Sequence, residues 1–252
     1  MTAKLPASLM PYQTDNLIRM GRDHDGGYVL DERSIMNAEA LISFGINDDW
    51  SFEEDFRARY EAPVYAYDGK VSTGYFGAML VKCFSSPSKL RNIPHWLRTI
   101  REYRQFFRGD VRHIQKYVGE TDTDHFVSLP CILASHLPQS DSKFFLKIDI
   151  EGWEYRILED ILSIAHRLTG LAMEFHDVDL HLDKITSFVE RLPLSVCHIH
   201  ANNYSPISRT GCPYVIEMSF TSQPISDVPA SLPSVLDMVN NRHADEIAFE
   251  FA

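Results

Sequence analysis

The sequence predicts an α/β fold built on a mostly parallel sheet of seven strands, the last of them antiparallel, with helices on both faces. Three observations predict it. Short apolar runs that close on polar residues recur along the chain, and amphipathic helical stretches alternate with them. The connection ahead of the last run is too short to hold a crossover helix, so that strand must run against its neighbours. A chain of 252 residues, 44% apolar and 23% charged, suits one such domain over 1–252, and no internal repeat or low-complexity linker divides it.

Ala40 to Ile46 (ALISFGI) reads as the first strand, running through Gly45 into Asn47-Asp48-Asp49. Ser51 with Glu54 makes a capping-box pattern, and Phe52, Phe56 and Tyr60 line one face of the helix that follows. Pro63 to Tyr67 is the second strand, stopped by Asp68-Gly69. Residues 70 to 112 read as a crossover carrying an inserted helix around His95 to Phe107. Arg98, Arg101, Arg104 and Arg108 alternate there with Trp96, Tyr103, Phe106 and Phe107, as in a helix docked on the sheet or a lid over substrate. Val111 to Val118 is the third strand and Lys143 to Ile150 the fourth. A helix over Glu151 to Leu168 turns Trp153, Ile157, Ile161, Ile164 and Leu168 inward and stops at Gly170. Leu171 to Phe175 is the fifth strand, Leu182 to Leu192 a helix, Ser195 to His200 the sixth strand and Tyr214 to Thr221 the seventh. The closing EIAFEF can pack on this sheet or on a partner.

The balance of 24 basic against 35 acidic residues gives −11, which argues against nucleic acid and anionic membrane as partners, since both need clustered Lys and Arg. No apolar run has the length of a secretory signal or a membrane span. Cys83, Cys131, Cys197 and Cys212 show no metal-binding spacing and no disulfide framework, so a cytoplasmic setting is expected.

In a parallel sheet the ligand sits beyond the carboxyl ends of the strands. The residues there are Gly45 and Asn47, Asp68, Glu120, Asp149 and Glu151, Glu174 and His176, and His200 and Asn202, an unusually polar set. The first strand, loop and helix can seat a nucleoside-like cofactor, although neither GxGxxG nor a P-loop is present. Asp68 stands where an acid can accept ribose hydroxyls, and it also reads as half of a turn dipeptide. Asp25-Gly26-Gly27-Tyr28 is either a tight turn or a loop folding over the cofactor. Asp149 and Glu151 bracket a strand end, where carboxylates hydrogen-bond, bind a cation or act as a base. Five of the eleven histidines lie between 166 and 200, as in a metal or base cluster, but without the spacing of a known metal motif.

The run Phe144 to Leu158 (FFLKIDIEGWEYRIL) resembles the K-D-x-E-G-x-E signature of the FkbM-type S-adenosylmethionine-dependent methyltransferases. RMGRDHDGGYVL and ALISFGINDDWSFEEDF upstream, with MEFHDV and HIHANNY downstream, are similar to a branch of that group met in glycan biosynthesis. The resemblance spans residues 19 to 221 and implies a Rossmann-like class I methyltransferase fold. It implies that Asp25, Gly26, Gly27 and Tyr28 close a cofactor pocket formed by Gly45, Ile46, Asn47, Glu53, Asp68, Gly69 and Glu120. It further implies that Asp149 and Glu151 face the reacting centre. A single glycine in SFGINDD departs from the commoner D-x-G-x-x-x-G loop. The expected activity is O-methylation of a hydroxyl on a sugar, glycan or related small molecule. Asp149, His176 and Glu151 are its catalytic candidates, and Asp149, Glu174 and His200 the candidate ligands of a divalent Mg²⁺ or Mn²⁺. Two rivals are a metal-dependent hydrolase using His176, His198 and His200, and a non-catalytic module that binds a glycan or a protein.

Overall fold

A computed structural model describes residues 1–252. In chain order the elements are β1 (Thr2–Leu5), β2 (Leu17–Met20), β3 (Tyr28–Asp31), α1 (Glu32–Met36), β4 (Leu41–Phe44), α2 (Ser51–Arg59) and β5 (Val64–Tyr67). An insert follows, with α3 (Thr73–Lys82) and α4 (Ile93–Phe106) joined by short 3₁₀ turns, and then β6 (Val111–Ile114), β7 (Tyr117–Val118), β8 (Phe126–Val127) and α5 (Leu129–His136). The second half holds β9 (Phe144–Ile148), α6 (Leu158–Ile164), β10 (Leu168–Phe175), α7 (Val178–Arg191), β11 (Ser195–Ala201), β12 (Ile216–Thr221) and β13 (Ala248–Phe251).

The main sheet runs β11-β12-β10-β9-β4-β5-β6, and only β12 is antiparallel to its neighbours. Counted along the chain, its strands lie in the order sixth, seventh, fifth, fourth, first, second, third, which is the Rossmann-like class I methyltransferase arrangement expected from the sequence. Every residue of β4, β9, β10 and β12 is buried, which is why these strands read as continuous apolar runs rather than alternating ones. Alternation still sorts them between two cores. Phe144, Leu146 and Ile148 pack with Ile161, Ile185 and Phe188 from α6 and α7, while Phe145 points the other way to Phe52, Phe56 and Ile35 from α2 and α1.

Several expectations change in detail. The helix after β9 starts at Leu158, not Glu151, because Glu151 (φ 56°) and Gly152 (φ 94°) turn left-handed and break the helical path. Trp153 is therefore not on a buried helical face and is 39% exposed. Gly170 is no helix stop: it lies inside β10, where a Cβ would press on Phe145 and the Phe220 carbonyl. The capping box does not form, since Ser51 is already helical and its hydroxyl accepts the Arg22 N–H at 2.9 Å, while Asp49 accepts the Ser51 N–H at 3.1 Å. The insert holds two helices rather than one. EIAFEF supplies β13, which pairs in parallel with the amino-terminal β1 and joins the two ends of the chain. No helix is long and apolar enough to cross a membrane.

Candidate active site

A cleft of about 740 Å³ opens at the carboxyl ends of β4, β5, β9 and β10. Its first wall is the turn after β4. Gly45 there has φ 78°, and a Cβ on it would overlap the carbonyl oxygen of Asp149, so only glycine lets β4 and β9 end this close together. The Gly45 carbonyl accepts from Lys147 Nζ at 2.6 Å. Lys147 is buried, 3.8 Å from the Asp149 carboxylate and over the Tyr28 ring, a central cation that links the two walls. Behind it Glu53 accepts from the Ser43 hydroxyl; burial pushes its carboxyl up, with Lys147 opposing.

Asp68 ties two turns together. One carboxylate oxygen accepts from the N–H groups of Ile46 and Asn47 at 3.2 and 3.0 Å, the other from Lys70 and Val71 at 2.9 and 3.1 Å. A carboxylate has about four acceptor positions, and the backbone fills them here, so Asp68 is both turn residue and cleft wall. The loop between β2 and β3 covers the same end. Gly21 N–H donates to Asp55 at 3.0 Å and Arg22 pairs with Asp49 at 2.9 Å, which holds the loop to the start of α2. Asp25, Gly26 and Tyr28 line the cleft, and burial raises the Asp25 carboxyl. Gly27 does not line it: it faces the Arg19 guanidinium and the Arg22 carbonyl, where a side chain has no room.

The second wall is acidic. Glu154 is fully buried, and one of its oxygens accepts the N–H groups of Ile150 and Gly152, each at 3.2 Å, which stabilises the left-handed turn. That oxygen also meets His176 Nδ1 at 3.0 Å, so the ring is aimed and its Nε2 lies 3.6 Å from Glu151. Burial disfavours the imidazolium, but the Glu154 hydrogen bond and the charges of Glu174, Glu154 and Asp149 outweigh it and hold His176 at about 9. Glu174, accepting from the Asn202 amide at 2.9 Å, is pushed well above the usual carboxylate range by burial and by its acidic neighbours Asp149 and Glu217. Donor atoms of Asp149, Glu151 and His176 all lie within 4.8 Å of one another.

The cleft thus gathers Asp25, Gly26, Tyr28, Gly45, Ile46, Asn47, Glu53, Asp68, Gly69, Asp149, Glu151, Glu174 and His176. Besides Gly27, two candidates fall elsewhere. Glu120 is exposed in the turn after β7, outside the cleft. His200 is buried between Glu217 at 3.2 Å and Glu246 at 3.0 Å, so it does not complete a metal set with Asp149 and Glu174. His198 is likewise engaged by Asp237 at 2.8 Å, and the three-histidine hydrolase centre is not assembled. Sequence reasoning assigned no role to Lys147, Glu154 or the aromatic rim. Tyr117 packs at a tilt on Phe126, and Phe126 stacks on Trp153, forming an apolar edge to an otherwise polar cleft. The signal for Glu154 and Lys147 lay in the KIDIEGWE run itself, where a Lys and a Glu are too close to buried strand residues to be solvated.

No protein-family model and no curated protein sequence matches the chain. Among solved structures, the fibrillarin pre-rRNA processing protein of Methanococcus jannaschii is similar at 11% identity and a TM-score of 0.40, over 75% of this chain and 68% of that one. An rRNA methylase from Streptococcus thermophilus aligns at 13% identity and 0.38, over 74% and 89%. A putative sarcosine dimethylglycine methyltransferase from Galdieria sulphuraria aligns at 9% and 0.39, over 76% and 81%. Likeness at this level leaves the function to be argued from the cleft itself.

Proposed function

We propose that the protein is an S-adenosylmethionine-dependent methyltransferase of the FkbM type that O-methylates a hydroxyl of a sugar, glycan or related small molecule. The observation that carries this reading is one cleft with a glycine turn and Asp68 on one wall and Asp149, His176 and Glu174 on the other. Its volume suits a nucleoside-sized cofactor together with part of an acceptor. Gly45 to Asn47 and the Asp25–Tyr28 loop would hold the methionine end. Asp68 and Gly69, beside the Tyr117 ring, would hold the adenosine, its ribose hydroxyls displacing backbone N–H groups from the Asp68 carboxylate. The negative wall suits a sulfonium cation.

Bound cofactor supplies an activated methyl group. The protein's part would be to hold the acceptor hydroxyl in line with that methyl group and to take its proton at a base. His176, held near 9, is already protonated at neutral pH, so the base is Asp149 and His176 stabilises the oxygen as it loses its proton. A hard divalent ion such as Mg²⁺ or Mn²⁺ would also suit two carboxylates and an imidazole, and its binding would displace the proton from His176. Asp149, Glu151 and His176 would hold it, and it would supply Lewis acidity at the acceptor hydroxyl.

Calorimetric titration of metal-stripped protein with S-adenosylmethionine and S-adenosylhomocysteine, repeated with Mg²⁺ and Mn²⁺, tests the reading. Micromolar binding abolished by Asp68→Ala is the expected result, with Asp149→Asn keeping the cofactor but reducing turnover by about 10²–10⁴. Absence of binding under every condition would leave the non-catalytic module as the better account.

A further inference from the structure

The insert between β5 and β6 differs from the rest of the molecule in charge and in exposed apolar surface. Residues 70 to 112 carry nine Lys and Arg against two acidic residues, while the remainder carries fifteen against thirty-three. All nine basic side chains are exposed. At the outer end of the same segment, Val81, Phe84, Leu90 and Leu97 are 69%, 67%, 44% and 53% exposed. They belong to the end of α3, the 3₁₀ turns and the start of α4, which pack against one another, so the four form one projecting apolar tip. Lys82, Lys89, Arg91 and Arg98 surround them in sequence. The buried side of the insert is well anchored: Phe76, Trp96 and Tyr103 pack around Trp50 and Ile46, beside the glycine turn of the cleft.

We propose that this tip docks the protein on an anionic lipid surface. Aliphatic and aromatic side chains among lysines and arginines match both parts of such a surface, the apolar groups entering the headgroup boundary and the cations meeting its negative potential. Neither alternative occupant matches as well. Phosphates of a nucleic acid satisfy the cations but leave Val81, Leu90 and Leu97 in water, and a second copy in a two-fold interface sets basic residues against basic residues. The net charge of −11 averages this segregation away, which is why composition alone argued against membranes. Lys70, at the inner end of the insert, lines the cleft, so α3 joins the docking tip to the cleft. Resting on the methyl-transfer reading, this makes a hydroxyl on a membrane-borne sugar or headgroup the acceptor class.

Flotation of the full-length protein with vesicles tests the docking without any activity. Binding is expected to phosphatidylcholine vesicles containing about 30% phosphatidylglycerol, and to fall roughly tenfold with phosphatidylcholine alone or on raising NaCl from about 0.1 to 0.5 M. The Phe84→Ser/Leu97→Ser pair, exposed and therefore harmless to the fold, should lose binding to a similar extent while its thermal midpoint is unchanged. Failure to float with anionic vesicles would overturn the proposal. Variant flotation equal to wild type would overturn it too, as would a tip mutation that alters only self-association or binding of a labelled oligonucleotide. Cofactor titration of the same variant separates the two readings, because docking can fail with cofactor binding intact and the reverse.

Discussion

Glu154 and Gly45 show how single residues set the chemistry of the cleft. Glu154 places a charge beside His176 and, with the same oxygen, accepts two N–H groups of the turn. Glu154→Gln keeps an acceptor for the turn but removes the charge, so His176 should lose much of what holds it near 9. Titration of the His176 ring by NMR should show its midpoint lower by about one unit or more; an unmoved midpoint would mean that Asp149 and Glu174 alone maintain the imidazolium. Gly45 is constrained differently, by space and by φ. Gly45→Ala imposes about 1–2 kcal/mol for the left-handed backbone alone, and the overlap with the Asp149 carbonyl adds to it. Chemical denaturation should therefore register a loss above that range, together with weakened cofactor binding. A loss within the range would show that β4 and β9 separate freely, and that the closeness of the two walls matters little.

Elements were legible in the sequence wherever burial was complete and lengths were ordinary. The buried runs at Leu41–Phe44, Phe144–Ile148 and Ile216–Thr221 announced their strands, and the short loop before β12 announced its direction. What escaped was short or set by tertiary contacts. The β2–β3 hairpin and α1 span only four or five residues each, and α5 carries Pro130 and no long apolar periodicity. The Glu151-Gly152 turn reads as helix unless the buried Glu154 that stabilises it is known. The histidines of β11 were legible as part of a cluster but not in purpose, because their partners Asp237 and Glu246 come from a segment without regular structure. That segment, residues 234–246, is a strap fastened by charge. Burial opposes a charged His200, yet its hydrogen bonds to Glu217 and Glu246 and their charges raise it to about 10. The sign follows: a histidine raised on folding contributes stability that is fully present below its ordinary 6.5 and is lost as pH climbs through about 10. The thermal midpoint of the wild type should fall between pH 7 and 10, and His200→Gln, less stable at pH 7, should show a shallower fall. Parallel curves would assign the alkaline loss to other groups.

Across the whole molecule, the strap and the cofactor loop are one connected system. His24 Nδ1 meets the Val239 carbonyl at 2.7 Å, and Asn240 donates to Glu217 at 2.7 Å and to Asp25 at 3.4 Å. Glu217 in turn holds His200, which reaches Glu246, two residues before β13 closes on β1. A ligand that orders the Asp25–Tyr28 loop should therefore also restrain a segment more than two hundred residues away in sequence, besides the start of α2, to which Gly21 and Arg22 already hold the loop. Hydrogen exchange with and without S-adenosylhomocysteine checks this. Protection should rise by roughly tenfold, a little over 1 kcal/mol, at residues 21–27, at the glycine turn and at 237–247. The outer end of the insert at 81–91, which makes no contact with this network, should be unchanged. Asn240→Ala, which removes the link through Asp25 but keeps the His24–Val239 contact, should reduce the protection of the strap and weaken binding severalfold while leaving the glycine turn protected. Protection confined to the glycine turn and Asp68 in the wild type would show that the strap is a structural brace with no part in closing the cleft.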